Sequence, residues 1–137
     1  MADTLKLEIV TPEGKIFSDD VELVTLPGVE GEMGIYPGHV PLMTQLAAGE
    51  VIARKAGQDS FLAVSEGFVQ ITAEQVQILA DMAIRAENIE EVKAEEARRR
   101  AEARLADHLD SEEVAMVEAS LAYSLAQLKV KRRHPRK

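Results

Sequence analysis

Cysteine and tryptophan are both missing from this chain of 137 residues, and aromatics make up only 4% of it. Without thiols there are no disulfide staples and no thiolate metal site, which fits a reducing compartment. With so few rings the core has to be built from Val, Ile, Leu and Ala, for which a hydrophobic content of 46% suffices. Long apolar runs are absent too. The longest uncharged stretch, Met33 to Gly49, contains Pro37, Gly38 and Pro41 and is unfit for a spanning helix. A strand-like alternation begins at Leu5, so no signal or transit peptide is expected ahead of it. The expectation is a soluble chain that works where it is made, large enough for one sizeable domain or two small ones.

Basic residues are scarce in one half and crowded in the other. Residues 1–87 hold five basic and fourteen acidic side chains, a net −9, whereas residues 88–137 hold eleven and ten, a net +1. Six of the last nine residues, "KVKRRHPRK", are Lys or Arg. Such asymmetry suggests two units with different partners.

The patterning divides the chain at the same place. In "LKLEIV" the apolar Leu5, Leu7 and Ile9 alternate with Lys6 and Glu8, the period of a half-buried strand. "TPEGK" reads as a turn, "VELVTL" as a strand stopped by Pro27-Gly28, and a glycine-rich loop follows. "GEVIARK", "SFLAVSEGFVQIT" and "VQILAD" complete a series of short strands with turn signals between them. That spacing predicts a β-sandwich over residues 1–87 rather than alternating strand–helix units. Near Asn88 the period changes. Asn88 with Glu91 has capping-box spacing, and Ala94, Ala97, Ala101 and Leu105 form one helical stripe. Asp110 with Glu113 repeats the cap before a second helix, read to about Val130, with a stripe of Val114, Val117, Leu121, Leu125 and Leu128 beside an alanine ridge. An antiparallel two-helix hairpin is therefore expected over residues 88–137, each arm roughly 30 Å long. Alanine-lined helices pack closely but gain little per position, since each buried methylene is worth about 0.8 kcal/mol. The hairpin is expected to be held to its neighbour by a few kcal/mol, a gap that a partner or ligand can tip.

Little in the sequence points to catalysis. Gly28, Gly31, Gly34 and Gly38 in "GVEGEMGIYPGHVPL" lack the strand-to-helix context of a phosphate cradle, because Pro37 and Pro41 follow and no helix starts. His39 has no His, Cys or carboxylate at ligand spacing, and His108 and His134 lie in other elements, so no metal site is expected. Ser65 in "AVSEG" lacks the first glycine of a nucleophile elbow and has no His–Asp partner set, which argues against a small hydrolase. A loop shaped by backbone needs, or a docking surface on a rigid β scaffold, remains. The basic tail reads as a solvated, frayed end, an acidic-protein contact or, less readily, a nucleic-acid contact. The nucleic-acid reading lacks the interleaved aromatics that stack bases.

Taken in order, "EGEMGIYPGHVPLMT", "VSEGFVQI" and "VQILADMAIRAENI" in a β unit followed by a helical hairpin closely resemble the epsilon-subunit family of the bacterial F-type ATP synthase, over essentially the whole chain. The resemblance implies a non-catalytic rotor subunit of the central stalk of a proton-translocating enzyme. It would lie peripherally on the cytoplasmic face of the bacterial inner membrane. Its β-sandwich would bind the gamma subunit and sit on the ring of c subunits. Glu30, Glu32, Tyr36 and His39 would lie in the docking loop toward that ring, which the glycines allow to turn tightly and the prolines stiffen. The hairpin would either lie folded on the β-sandwich or extend among the alpha and beta subunits and inhibit ATP hydrolysis. Lys129, Lys131, Arg132 and Arg133 would then meet an acidic segment of beta. The rival from another class is a free-standing adaptor that binds nucleic acid or an acidic protein through the tail.

Some members of that family bind ATP on the folded hairpin through I/L-D-x-x-R-A. The matching stretch here is "IEEVKA", which keeps Ile89 and Ala94 but places Glu90 and Lys93 where the pattern has Asp and Arg, with Arg98 and Arg99 nearby. The changes remove a short carboxylate and a planar bidentate donor. No cofactor is therefore expected, and isothermal titration of the chain with ATP should detect weak binding or none; micromolar affinity would overturn this reading.

Overall fold

The computed structural model describes residues 4–134. Strand β1 (Leu5–Thr11) buries Leu5, Leu7, Ile9 and Thr11 and turns Lys6 and Glu8 outward, as the alternation requires. It pairs antiparallel with β2 (Gly14–Val21) and parallel with β9 (Gln75–Ala80). The others are β3 (Leu23–Gly28), β4 (Gly31–Ile35), β5 (Leu42–Leu46), β6 (Gly49–Lys55), β7 (Gln58–Val64), β8 (Gly67–Ile71) and β10 (Ala83–Arg85). The order is β10-β7-β6-β3-β5-β8-β9-β1-β2, with β4 added to β3.

The ten strands form two packed halves. Between β3 and β5 the register holds a single pair, Gly28 with Leu46, and there the sheet folds over. The far edges approach again: Lys55 Nζ on β6 meets Asp19 Oδ1 on β2 at 2.8 Å, and Arg85 of β10 lies 4.9 Å over the Phe17 ring of β2. Between the halves lie Leu5, Leu7, Ile9, Val24, Leu26, Ile35, Leu46, Val51, Leu62, Ile71, Val76 and Ile78, all fully buried. This is the aliphatic core expected from the scarcity of rings, and Phe17 is its one buried aromatic.

After β10 a 3₁₀ turn, Ala86–Asn88, leads to helix α1 (Glu91–Leu105), and α2 (Ser111–Arg133) returns beside it. The Asp110–Glu113 capping box is present in full. α2 packs on β7 and β6, and α1 packs mainly on α2. Ala63, Ala86, Ile89, Tyr123, Ala126 and Val130 are buried in a second, smaller cluster where helix meets sheet.

Four local expectations change. The glycine-rich stretch is not one loop, because Gly31–Ile35 and Leu42–Leu46 are strands and the connection is Tyr36–Pro41. Burial of Ile35 and cross-strand pairing to Val24 outweigh the weak strand preference of glycine there. Residues 14–21, passed over between a turn and a strand, form β2, whose paired aspartates mask its alternation. Asn88 does not cap α1. The helix is preceded by Glu90, whose side chain makes no capping bond, because buried Ile89 holds the link extended. On α2 Leu125 is 47% exposed, while Tyr123, Ser124, Ala126, Leu128 and Val130 are buried and the helix continues to Arg133. One stripe was read, but α2 has two neighbours, α1 and the sheet, and so buries two.

Two backbone positions test this account. Ala56 sits at φ 53 beside Gly57 at φ 76 in the two-residue β6–β7 turn, so Ala56→Gly should raise stability by roughly 0.5–1 kcal/mol. A Cβ on Gly67 would meet the Leu79 carbonyl oxygen at 2.0 Å, so Gly67→Ala should lower it by about 3 kcal/mol. Urea unfolding midpoints check both.

Candidate functional site

Three surfaces carry side chains that the core does not need. The first is the β4 edge. Glu30 lies in the Val29–Glu30 turn, Glu32 on β4, and Tyr36 and His39 in the loop after it. Gly31 to Ile35 spans roughly 13 Å at strand rise, so the four residues are strung along an edge strand rather than gathered in a pocket. Glu30, Glu32 and Tyr36 are exposed and His39 is half-buried, its Nδ1 2.6 Å from the Val40 carbonyl oxygen. A bond from Gly38 N–H to the Ala73 carbonyl, 2.8 Å, ties the loop to the β8–β9 turn, and Gly38 is at φ 89. The loop is thus anchored at its centre.

The second surface went unread in the sequence. Gln45, Phe68, Leu79 and Val10 stand opposite one another on β5, β8, β9 and β1, and all face outward. Phe68 is 52% and Leu79 48% exposed, and together with Val10, Pro12 and Val29 they line an open groove of about 700 Å³. Glu66 and Asp81 belong to the same lining. The signal was present: "GFV" and "QILA" carry apolar residues at both strand parities.

The third surface joins the helices to the sheet. Arg132 Nε reaches Glu91 Oε2 at 2.8 Å and its Nη2 reaches Glu95 Oε2 at 3.2 Å, binding α2 to α1. Arg133 Nη1 donates to Glu50 Oε1 on β6 at 3.0 Å, and His134 Nε2 lies 2.7 Å from Glu50 Oε2. The His134 ring stacks on Phe61 with centroids 3.5 Å apart. Lys131 Nζ is 3.4 Å from the Ala86 carbonyl, and Lys129 is exposed. A frayed tail was one expectation for this segment; through Arg133 it is helical and paired, and residues 135–137 lie outside the described ones. Glu50, Phe61 and His134 were not anticipated, because their contacts span more than seventy residues.

The residues matched to the ATP pattern take separate places. Ile89 and Ala94 are buried, Glu90 and Lys93 pair with each other at 3.4 Å in solvent, and Arg99 is exposed. Arg98 bonds Glu95, and reaches Glu102 at 2.7 Å. Arg98 above all, and Arg132 with it, hold the Glu95 carboxyl below its ordinary value near 4.5. Burial pushes the Tyr123 hydroxyl up to about 12. Among the described residues no cluster of three metal-ligating side chains occurs, and no helix is long and apolar enough to cross a membrane.

The family model for the ATP synthase delta/epsilon chain β-sandwich domain matches residues 4–86, and that for its long α-helix domain matches residues 87–132. An ATP synthase epsilon chain of Dehalococcoides mccartyi is 47% identical over 135 residues, covering 96% of both chains. That of Herminiimonas arsenicoxydans is 43% identical over 130 residues, covering 93% of each. Among solved structures, a chain of the Euglena gracilis mitochondrial ATP synthase aligns at a TM-score of 0.77 and 24% identity, over 96% of this chain and 83% of that one. A chain of the Tetrahymena thermophila central stalk and c ring aligns at 0.62 and 13%, over 90% and 96%. These two likenesses concern the fold.

The paired Glu95 gives a signed pH dependence. Its folded value is depressed, so its contribution is complete above about pH 4.5 and is lost as pH falls through the lower folded value. The protection factors of the α1 amides, taken relative to intrinsic exchange at each pH, should therefore fall between roughly pH 5 and 3 more in the native chain than in Glu95→Gln.

Proposed function

The chain belongs to the ATP synthase delta/epsilon family, and on that premise we propose how its two halves divide the work. It is an epsilon-type, non-catalytic subunit of the central stalk of an F-type ATP synthase. In our reading residues 1–87 form the docking module and residues 88–137 the regulatory hairpin. The outward row of Val10, Phe68 and Leu79 takes the gamma subunit, and the β4 edge with Glu30, Glu32, Tyr36 and His39 faces the polar loops of the c ring. The chain then lies peripherally at the cytoplasmic face of the bacterial inner membrane and meets the bilayer through the complex alone.

The observation that carries this reading is the exposed apolar row. Half-exposed Phe68 and Leu79 side by side, in a groove that Glu66 and Asp81 also line, are what an interface leaves bare when its partner is absent. The hairpin supports the regulatory half. α2 meets the sheet over a small alanine-rich contact, and Arg132 and Arg133, already helical and preorganised, can be re-paired by an acidic segment of the beta subunit. Lys129 and Lys131 add charge to the same end. In the extended state the hairpin would reach the alpha and beta subunits and restrain ATP hydrolysis, with ATP itself a weak regulator at most.

Phe68→Glu should weaken co-purification with a tagged gamma subunit at least tenfold without lowering the melting temperature of the chain, because the side chain lies outside the core; unchanged capture would remove the docking role of the row. Removal of residues 88–137 should leave assembly and coupled synthesis intact while raising ATP hydrolysis by the complex. Unchanged hydrolysis would remove the inhibitory role and leave the stalk role standing.

A further inference from the structure

We infer that Glu50 is the receptor of a two-donor catch that keeps the hairpin docked, with Arg133 and His134 as its donors and Phe61 as the seat. The catch is a property of this chain; its regulatory consequence rests on the reading proposed above. Glu50 stands at the start of β6, directly opposite Ala63 of β7, and Phe61 stands opposite Ile52 on the same outer face. Partners across an antiparallel ladder point to one side, so carboxylate, small residue and ring make a row. Ala63 leaves room for α2 to settle with Tyr123, Ala126 and Val130 against it. The helix then ends over this row. His134, its C-cap, donates its backbone N–H to the Val130 carbonyl at 3.0 Å and lays its ring on Phe61 at an interplanar angle of 13°.

The Glu50 side chain is only 10% exposed, and each oxygen has its own partner, Oε1 the Arg133 guanidinium and Oε2 the imidazole Nε2–H. A carboxylate accepts and cannot donate, which selects the tautomer with hydrogen on Nε2. Arg132 is different in kind. It binds Glu91 and Glu95 of α1, and that pairing travels with the hairpin when it leaves. Among the described residues, Glu50 is the one sheet carboxylate that α2 pairs with. Charged attachment of hairpin to sheet therefore runs through a single side chain.

Such a site is suited to release. Desolvation of the nearly buried Glu50 carboxylate offsets much of its attraction to Arg133, which keeps half of its side chain in solvent, so the intact catch adds modestly to docking, while removing the donors strands the carboxylate. On undocking, Glu50 and His134 return to water together, and Arg133, already half solvated, is set free. The same Arg133 cannot hold Glu50 and an outside carboxylate at once, so docking and capture of the helix end by an acidic segment exclude one another. Glu50 acts as the internal competitor of that segment.

The test uses the full chain, whose lack of native cysteine permits clean labelling at Glu74→Cys and Asp107→Cys, both exposed, one in the β8–β9 turn and one at the hairpin tip. Distance distributions by spin-label spectroscopy give the released fraction. Glu50→Gln should raise it about fivefold, Arg133→Ala similarly, and the double variant no further. Raising salt from roughly 0.1 to 0.5 M should raise it in the native chain and little in Glu50→Gln. Phe61→Leu, with the charges intact, should raise it less than Glu50→Gln. A released fraction unmoved by Glu50→Gln, or a double variant with fully additive effects, overturns the catch. Hydrolysis by the assembled enzyme is read separately: if Glu50→Gln releases the hairpin and hydrolysis does not fall, the catch stands and the inhibitory reading fails.

Discussion

The second half of strand β7, Phe61 to Val64, is covered on both faces, and the docking of the hairpin is organised around that constraint. Leu62 and Val64 point into the space between the two halves of the sheet, while Ala63 and Phe61 point the other way, under α2. A strand with one wet face would leave the hairpin nowhere to settle. A strand with large residues on both faces would hold it too far from β6 for Glu50 to reach the end of α2. Alanine at position 63 is the compromise, small enough for close approach and apolar enough to stay dry, and it gains little because a methyl group has little surface to remove from water.

From that compromise the two halves acquire different mechanical characters. The β module is closed around a continuous layer of fully buried Leu, Ile and Val side chains, and its edges are stitched by the Lys55–Asp19 pair and the Arg85–Phe17 contact. Close-packed interiors of this kind resist deformation, which suits a body that transmits torque. The helices are bound differently. Their attachment is a cluster of three helix residues on a few sheet residues, fastened at its far end by charges that water and salt compete for.

Much of this was legible from local pattern. Alternation located β1, the aliphatic composition anticipated the core, and Asp110 with Glu113 set the start of α2, because each of these depends on residues within a few positions of one another. Motif order carried the family. What escaped has a common origin. Ile89 overrode Asn88 as the determinant of where α1 begins because its burial depends on Ala63 and Val130, distant in the chain. Leu125 was assigned inward because helical periodicity counts one stripe and does not know that α2 has two neighbours. The apolar row was missed because Phe68 and Leu79 become neighbours only once β8 and β9 are in register.

By itself, then, the sequence determined the division into a β unit and a helical hairpin, both helices and many of the strands, the composition of the interior and the family. Period, capping and turn chemistry are short-range, and they survive without knowledge of the fold. Tertiary structure alone decided which face of α2 meets the sheet, that Glu50 receives Arg133 and His134 from more than eighty residues away, and that three strands bring an apolar row to the surface. Those outcomes depend on register and on the distance between packed layers, and neither is encoded in any one stretch of the chain.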